Sequence, residues 1–130
     1  MQLEISFPDP VSQGQPLPVT LRLSNPSAEP AMVYIAGRPA AFDIVITRLD
    51  GTPVWRRLTG AVISAILQVR VLAPQETLEF RHTWKQQDQH GRSIPPGEYR
   101  LTGVLPGDPP EELRSNTARL RIRPSHAERH

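Results

Sequence analysis

The chain has 130 residues, no cysteine and a formal net charge of +2. A chain of this length folds as one domain whose core needs no disulfide or metal staple, the absence of cysteine rules out thiolate metal sites, and so small a charge leaves no electrostatic footprint for nucleic acid. No apolar run reaches the roughly 18 residues of a membrane-spanning helix, and Met1 leads straight into Leu3-Glu4-Ile5 without a signal-peptide pattern, so the expected location is cytoplasmic.

Period-two alternation, the mark of a half-buried strand, recurs along nearly the whole chain. Leu3, Ile5 and Phe7 alternate with Glu4 and Ser6. Val19, Leu21 and Leu23 alternate with Thr20, Arg22 and Ser24 until Asn25-Pro26 ends the run. Met32 to Ile35 is apolar on both sides, which leaves its inward face open. Phe42, Ile44 and Ile46 follow; Asp50-Gly51 then reads as a type I′ hairpin turn, with φ > 0 at both centre residues, and returns the chain into Val54-Trp55. Leu67, Val69 and Val71 alternate with Gln68 and Arg70, and Ala73-Pro74-Gln75-Glu76 is a turn. Leu78, Phe80, His82 and Trp84 share one face, opposite Glu79, Arg81, Thr83 and Lys85. Gly91 lies in a polar hairpin loop, Gln86–Ser93. Pro96-Gly97 suits the centre of a type II turn and feeds a strand with Tyr99, Leu101 and Leu105 on one face. After a long connection at 107–112, Ala118, Leu120 and Ile122 oppose Arg119, Arg121 and Arg123.

Fifteen prolines and eight glycines fall between these runs, so they punctuate strands. The pattern predicts an all-β fold: an immunoglobulin-like antiparallel β-sandwich of about seven to nine strands over residues 1–123, with a frayed tail at 124–130. Trp55, Trp84 and Tyr99 are expected in its core, because each ring has a large area to bury.

Nothing in the sequence assembles a nucleophile, a base and an orienting third group, so the chain is not expected to be an enzyme. His126 and His130 lie in the tail, and His82 faces inward between Phe80 and Trp84. His90 and Asp88 share the polar loop and would need further ligands to hold a metal; no metal or other cofactor is expected. Arg22, Arg70, Arg81, Arg100, Arg119 and Arg121 alternate against apolar neighbours and should face outward. They form either a basic face for an acidic partner or a solvated sheet face with Glu4, Glu79 and Glu98 as cross-strand pairs; the near-neutral balance favours the second. Inward aromatics leave no stacking platform for single-stranded nucleic acid.

The ordered set Phe42-Asp43, Gly51, Val54-Trp55, Leu72-Ala73-Pro74-Gln75-Glu76, Trp84 and Gly91 through Ile94-Pro95-Pro96-Gly97-Glu98-Tyr99 resembles the BsuPI-type intracellular proteinase inhibitor domain. The likeness runs from about residue 40 to 105 and departs from the family pattern after Val-Trp, at Arg57, Leu58, Ile63, Ser64 and Ala65. It implies a protein partner, a serine protease of the subtilisin type. Leu58 to Ile66 carries no charge and no clean period. One reading makes Leu58, Thr59, Gly60, Ala61, Val62, Ile63 and Ser64 an extended contact loop that a protease pairs with as an added strand. The other makes it a buried crossing between sheets. The alternative function is an assembly module without inhibitory activity.

Overall fold

The computed structural model describes residues 1–37, 41–61, 66–106 and 112–125. These contain ten strands and no helix: β1 (Gln2–Ser6), β2 (Val11–Ser12), β3 (Leu17–Ser24), β4 (Ala31–Ala36), β5 (Asp43–Arg48), β6 (Pro53–Arg56), β7 (Leu67–Leu72), β8 (Thr77–Trp84), β9 (Gly97–Pro106) and β10 (Glu112–Arg123). A three-stranded sheet in the order β1-β3-β8 faces a five-stranded sheet in the order β2-β10-β9-β5-β6, and β4 and β7 make a separate two-stranded ribbon. This is the all-β, immunoglobulin-like sandwich that the alternation predicts. The added strand is the two-residue β2, too short to show a period; it pairs parallel to the end of β10, and the other strand pairs described are antiparallel.

The core fills from the inward positions of both sheets. Leu17, Val19, Leu21 and Leu23 of β3 are buried, facing Ile44, Ile46, Leu101, Leu105 and Leu120. Gly103 explains how closely the layers approach: a Cβ there would meet Leu21 Cδ2, with Cδ1 at 3.1 Å and Cγ at 3.2 Å. Glycine in a strand interior marks such contact. Trp84 and Tyr99 are buried as expected, whereas Trp55 is only half-buried and packs on the core's margin. Tyr99 Oη donates to Pro95 C=O at 2.6 Å, pinning the entry to β9; this tyrosine-to-upstream-backbone bond is a hallmark of immunoglobulin-like sandwiches.

Two turns differ from their expected types. At Asp50-Gly51 only Gly51 has positive φ, +90°. Gly51 N–H donates to Arg48 C=O at 3.0 Å and Arg48 N–H to Thr52 C=O at 2.9 Å, which makes a three-residue loop with an αL glycine. Asp50 Oδ1 captures Thr52 N–H at 2.9 Å and so selects the longer loop over type I′. Gly97 has φ +149°, far from the roughly +80° of a type II centre. The type II arrangement falls instead at Pro74-Gln75, where Gln75 has φ +68° and Glu76 N–H donates to Ala73 C=O.

The ribbon inverts an expectation. On β4 Val33 and Ile35 are buried, and Met32 and Tyr34 are exposed. On β7 the apolar series Leu67, Val69 and Val71 points to solvent, and only Leu72 is buried. The reason is pairing: among the described residues β7 pairs with β4 alone, outside the two facing sheets, and no described layer opposes its alternate side. Asn25 ties the ribbon down at one end. It is 1% exposed, and its Nδ2 donates to Leu72 C=O at 2.9 Å and Glu29 C=O at 2.8 Å. At the other end Gly37 N–H donates to Ile66 C=O at 2.7 Å.

Candidate functional site

The chain leaves β6 in a turn at 57–60. Thr59 N–H donates to Arg56 C=O at 3.3 Å and Ala61 N–H to Leu58 C=O at 3.0 Å, with Gly60 at φ +75°. Leu58 is half-buried, and Thr59, Gly60 and Ala61 are exposed. Val62, Ile63 and Ser64 lie outside the described residues. The described part of the expected contact loop is therefore exposed from Thr59 to Ala61, on the connection between β6 and the β4–β7 ribbon.

Its root is built. Asp43 opens β5 and is 2% exposed. Asp43 Oδ2 accepts from Arg56 Nε at 3.0 Å and Nη2 at 2.7 Å, while Oδ1 accepts from Leu58 N–H at 3.1 Å. A buried carboxylate with both oxygens engaged is a strong, directional anchor. Arg57 goes the other way: Nη1 donates to Phe42 C=O at 2.7 Å, and its guanidinium lies 3.8 Å from the Phe42 ring centroid, a cation–π contact. Burial lowers the Arg57 pKa and the Asp43 charge opposes the shift; a guanidinium stays charged regardless. A shallow depression beside the turn is lined by Asp43, Arg56, Leu58, Thr59, Pro106 and Glu112.

The polar loop Gln86–Ser93 meets this root. Gln89 Oε1 accepts Arg56 N–H at 2.8 Å and Gln89 Nε2 donates to Arg56 C=O at 3.3 Å, so one side chain occupies β6's backbone as a partner strand would. Asp88 Oδ1 accepts His90 N–H at 2.8 Å and Arg92 N–H at 3.0 Å, bonds that lower its pKa. Asp88 therefore shapes the loop around Gly91, which has φ +78°. Gln86 is buried: Nε2 donates to Ser12 C=O and Gln15 C=O, and Oε1 accepts Gly14 N–H. No sequence signal marks Gln86 or Gln89, because a glutamine in a polar loop looks solvated.

The arginine series faces outward, and Glu79 takes both Arg22, at 3.1 Å, and Arg81, at 2.8 Å. Arg119 lies 3.8 Å from Glu98. These are cross-strand and same-strand pairs of a solvated face.

His82 is half-buried and stacks on Trp55 at 5.7 Å and 14°. Burial lowers its pKa below the ordinary 6.5, and Arg57 acts in the same direction. A histidine depressed in the fold binds its proton first in the unfolded chain, so its contribution to stability falls as pH drops below about 6.5. Wild type is expected to lose more unfolding free energy between about pH 7.5 and pH 5.5 than His82→Gln does. Urea melts at both pH values check this; equal losses in the two proteins would remove His82 as the cause.

Among solved structures, the sporulation control protein Spo0M from Bacillus subtilis is similar, with TM-score 0.54 at 12% identity, over 96% of this chain and 49% of Spo0M. Dimeric latent PorU from Porphyromonas gingivalis gives 0.51 at 15% identity, over 95% of this chain and 9% of PorU. The CARDB domain of a Pyrococcus furiosus protein, solved with di-metal ions, gives 0.49 at 12% identity, over 95% and 93%. The chain thus spans about half of Spo0M and under a tenth of PorU, and identities this low speak to fold alone. No sequence among curated proteins matches. Residues 8–110 match the BsuPI family, described as intracellular proteinase inhibitor. That match takes in β5, β6, the anchored turn and the polar loop that braces it, so the chain belongs to the BsuPI intracellular proteinase inhibitor family.

Proposed function

We propose that residues 1–123 form a non-enzymatic binding domain that inhibits a cytoplasmic serine protease of the subtilisin type through the segment 58–64. The observation that carries this reading is the exposed turn with its root fixed on buried Asp43. A segment ordered before binding loses little entropy on docking, which slows its departure. The enzyme adds it as a strand and takes one apolar side chain into its specificity pocket. Leu58, Val62 and Ile63 are the apolar side chains of the segment suited to that pocket.

Titrating a subtilisin-type protease with the protein is the direct test. Activity should fall linearly to a 1:1 end point at micromolar concentration, and Ile63→Asp combined with Val62→Asp should raise the inhibition constant at least about tenfold in a protein that still unfolds cooperatively in urea. Full protease activity at about 100 μM protein, roughly the weakest affinity of use to an inhibitor, would end this reading. A second reading, an assembly module without inhibition, is favoured by the apolar outward face of the β4–β7 ribbon, which the turn does not use.

A further inference from the structure

Six of the eight exposed large apolar side chains among the described residues belong to the ribbon or its threshold: Met32, Tyr34, Ile66, Leu67, Val69 and Val71. Scattered single apolar residues need no explanation, but a contiguous patch does. Register makes this one contiguous. Met32 lies opposite Val71, Tyr34 opposite Val69 and Ala36 opposite Leu67, and opposed residues of an antiparallel pair share a face. We propose that this face is the two-fold interface of a homodimer, the ribbon of one copy packed on the same face of a second.

Charge selects a second copy as the occupant. The only strongly charged side chain on either strand is Arg70, and it lies opposite Val33, on the reverse side. Two copies of a chain with net charge +2 can therefore meet here without opposing arginines. The sheet faces that carry Arg22, Arg81, Arg119 and Arg121 offer no such place. An isologous contact also needs a patch that complements itself, and a flat ribbon of Met, Tyr, Leu and Val does so by stacking at the usual spacing of roughly 10 Å between sheets.

Area supports the same conclusion. Covering Met32, Tyr34, Leu67, Val69 and Val71 fully in both copies would bury on the order of 1,000 Å², near the lower bound for a specific interface. The ribbon is held at both ends, by Asn25 and by the Gly37–Ile66 bond, so docking has little left to order.

Sedimentation velocity across about 5 to 500 μM tests the proposal, spanning the range of a weak dimer. Wild type should sediment as a dimer in the upper half of that range, and Val69→Lys combined with Val71→Lys should remain monomeric. Thr83→Lys, on the exposed side of β8, should dimerise like wild type. Because the chain has no cysteine, Val69→Cys alone should give a covalent dimer with a short bis-maleimide cross-linker, which bridges facing positions of sheets roughly 10 Å apart where a direct disulfide cannot, and Thr83→Cys should not. A wild type that stays monomeric to the highest concentration overturns the proposal. So does a dimer that the lysine pair leaves intact, or a Thr83→Cys that cross-links as fast as Val69→Cys. The cysteine arm stands even if the lysine pair unfolds the protein. None of these readouts involves protease activity, so inhibition and dimerisation fail or stand separately.

Discussion

Trp84→Ala is expected to remove about 3–5 kcal/mol of unfolding free energy. Trp84 ends β8 opposite Leu17 and is 1% exposed. Its ring tilts against Trp55 at 6.1 Å, and its Nε1–H donates to Gln87 C=O at 3.0 Å. Alanine would empty the largest fully buried side-chain volume among the described residues and strip Gln87 C=O of its donor. The neighbouring Gln86 amide, which ties β8 to the Ser12–Gln15 turn, would lose its fixed backbone. For a domain whose whole stability is about 5–15 kcal/mol, this is a large share. The urea midpoint should drop with an unchanged slope. Trp84→Phe keeps a ring but no donor and should fall between the two. If Trp84→Ala melted at the wild-type midpoint, the inward face of β8 would be misassigned.

Period-two alternation reveals which residues share a side of a strand, and it leaves open which side is covered. For β1, β3, β5, β9 and β10 the two coincide, because those strands lie in facing sheets and their apolar side meets the other layer. For β7 they part. Its Leu67, Val69 and Val71 read like the inward series of β3, yet point to water because, among the described residues, the strand pairs only with β4. Pairing partners are non-local information, absent from a ten-residue window. The same limit explains Asp50-Gly51, whose glycine suits either of two loop lengths until the Asp50 carboxylate finds Thr52 N–H. At the candidate site, the uncharged, aperiodic run after Arg57 is legible as a segment outside the strand pattern. Its anchor is not. Asp43 reads as a polar residue between apolar neighbours, and only the fold brings Arg56 and Leu58 N–H to its two oxygens. The brace from Gln89 is hidden for the same reason, 33 residues away from the backbone it bonds.

Asp43→Ala should therefore act on stability and on inhibition together. It deletes the two Arg56 bonds and the Leu58 bond, and it leaves Leu58 N–H without its acceptor. Arg56 is 52% exposed on its side chain and can turn to water, so the loss stays below that of a fully buried pair, at about 2–4 kcal/mol. The turn then enters binding unanchored and must be ordered at that moment. With several backbone and side-chain rotations to fix, the inhibition constant should rise about tenfold or more, mainly through faster dissociation. Asp43→Asn separates the two effects. Its amide oxygen can still accept Leu58 N–H while the ion pair with Arg56 is lost, so it should recover much of the inhibition and less of the stability. Stopped-flow dissociation and urea melts measured on the same three proteins give both quantities. A folded Asp43→Ala that inhibits as tightly as wild type would place the protease contact somewhere other than this turn, because a contact held by Asp43 cannot be indifferent to its removal.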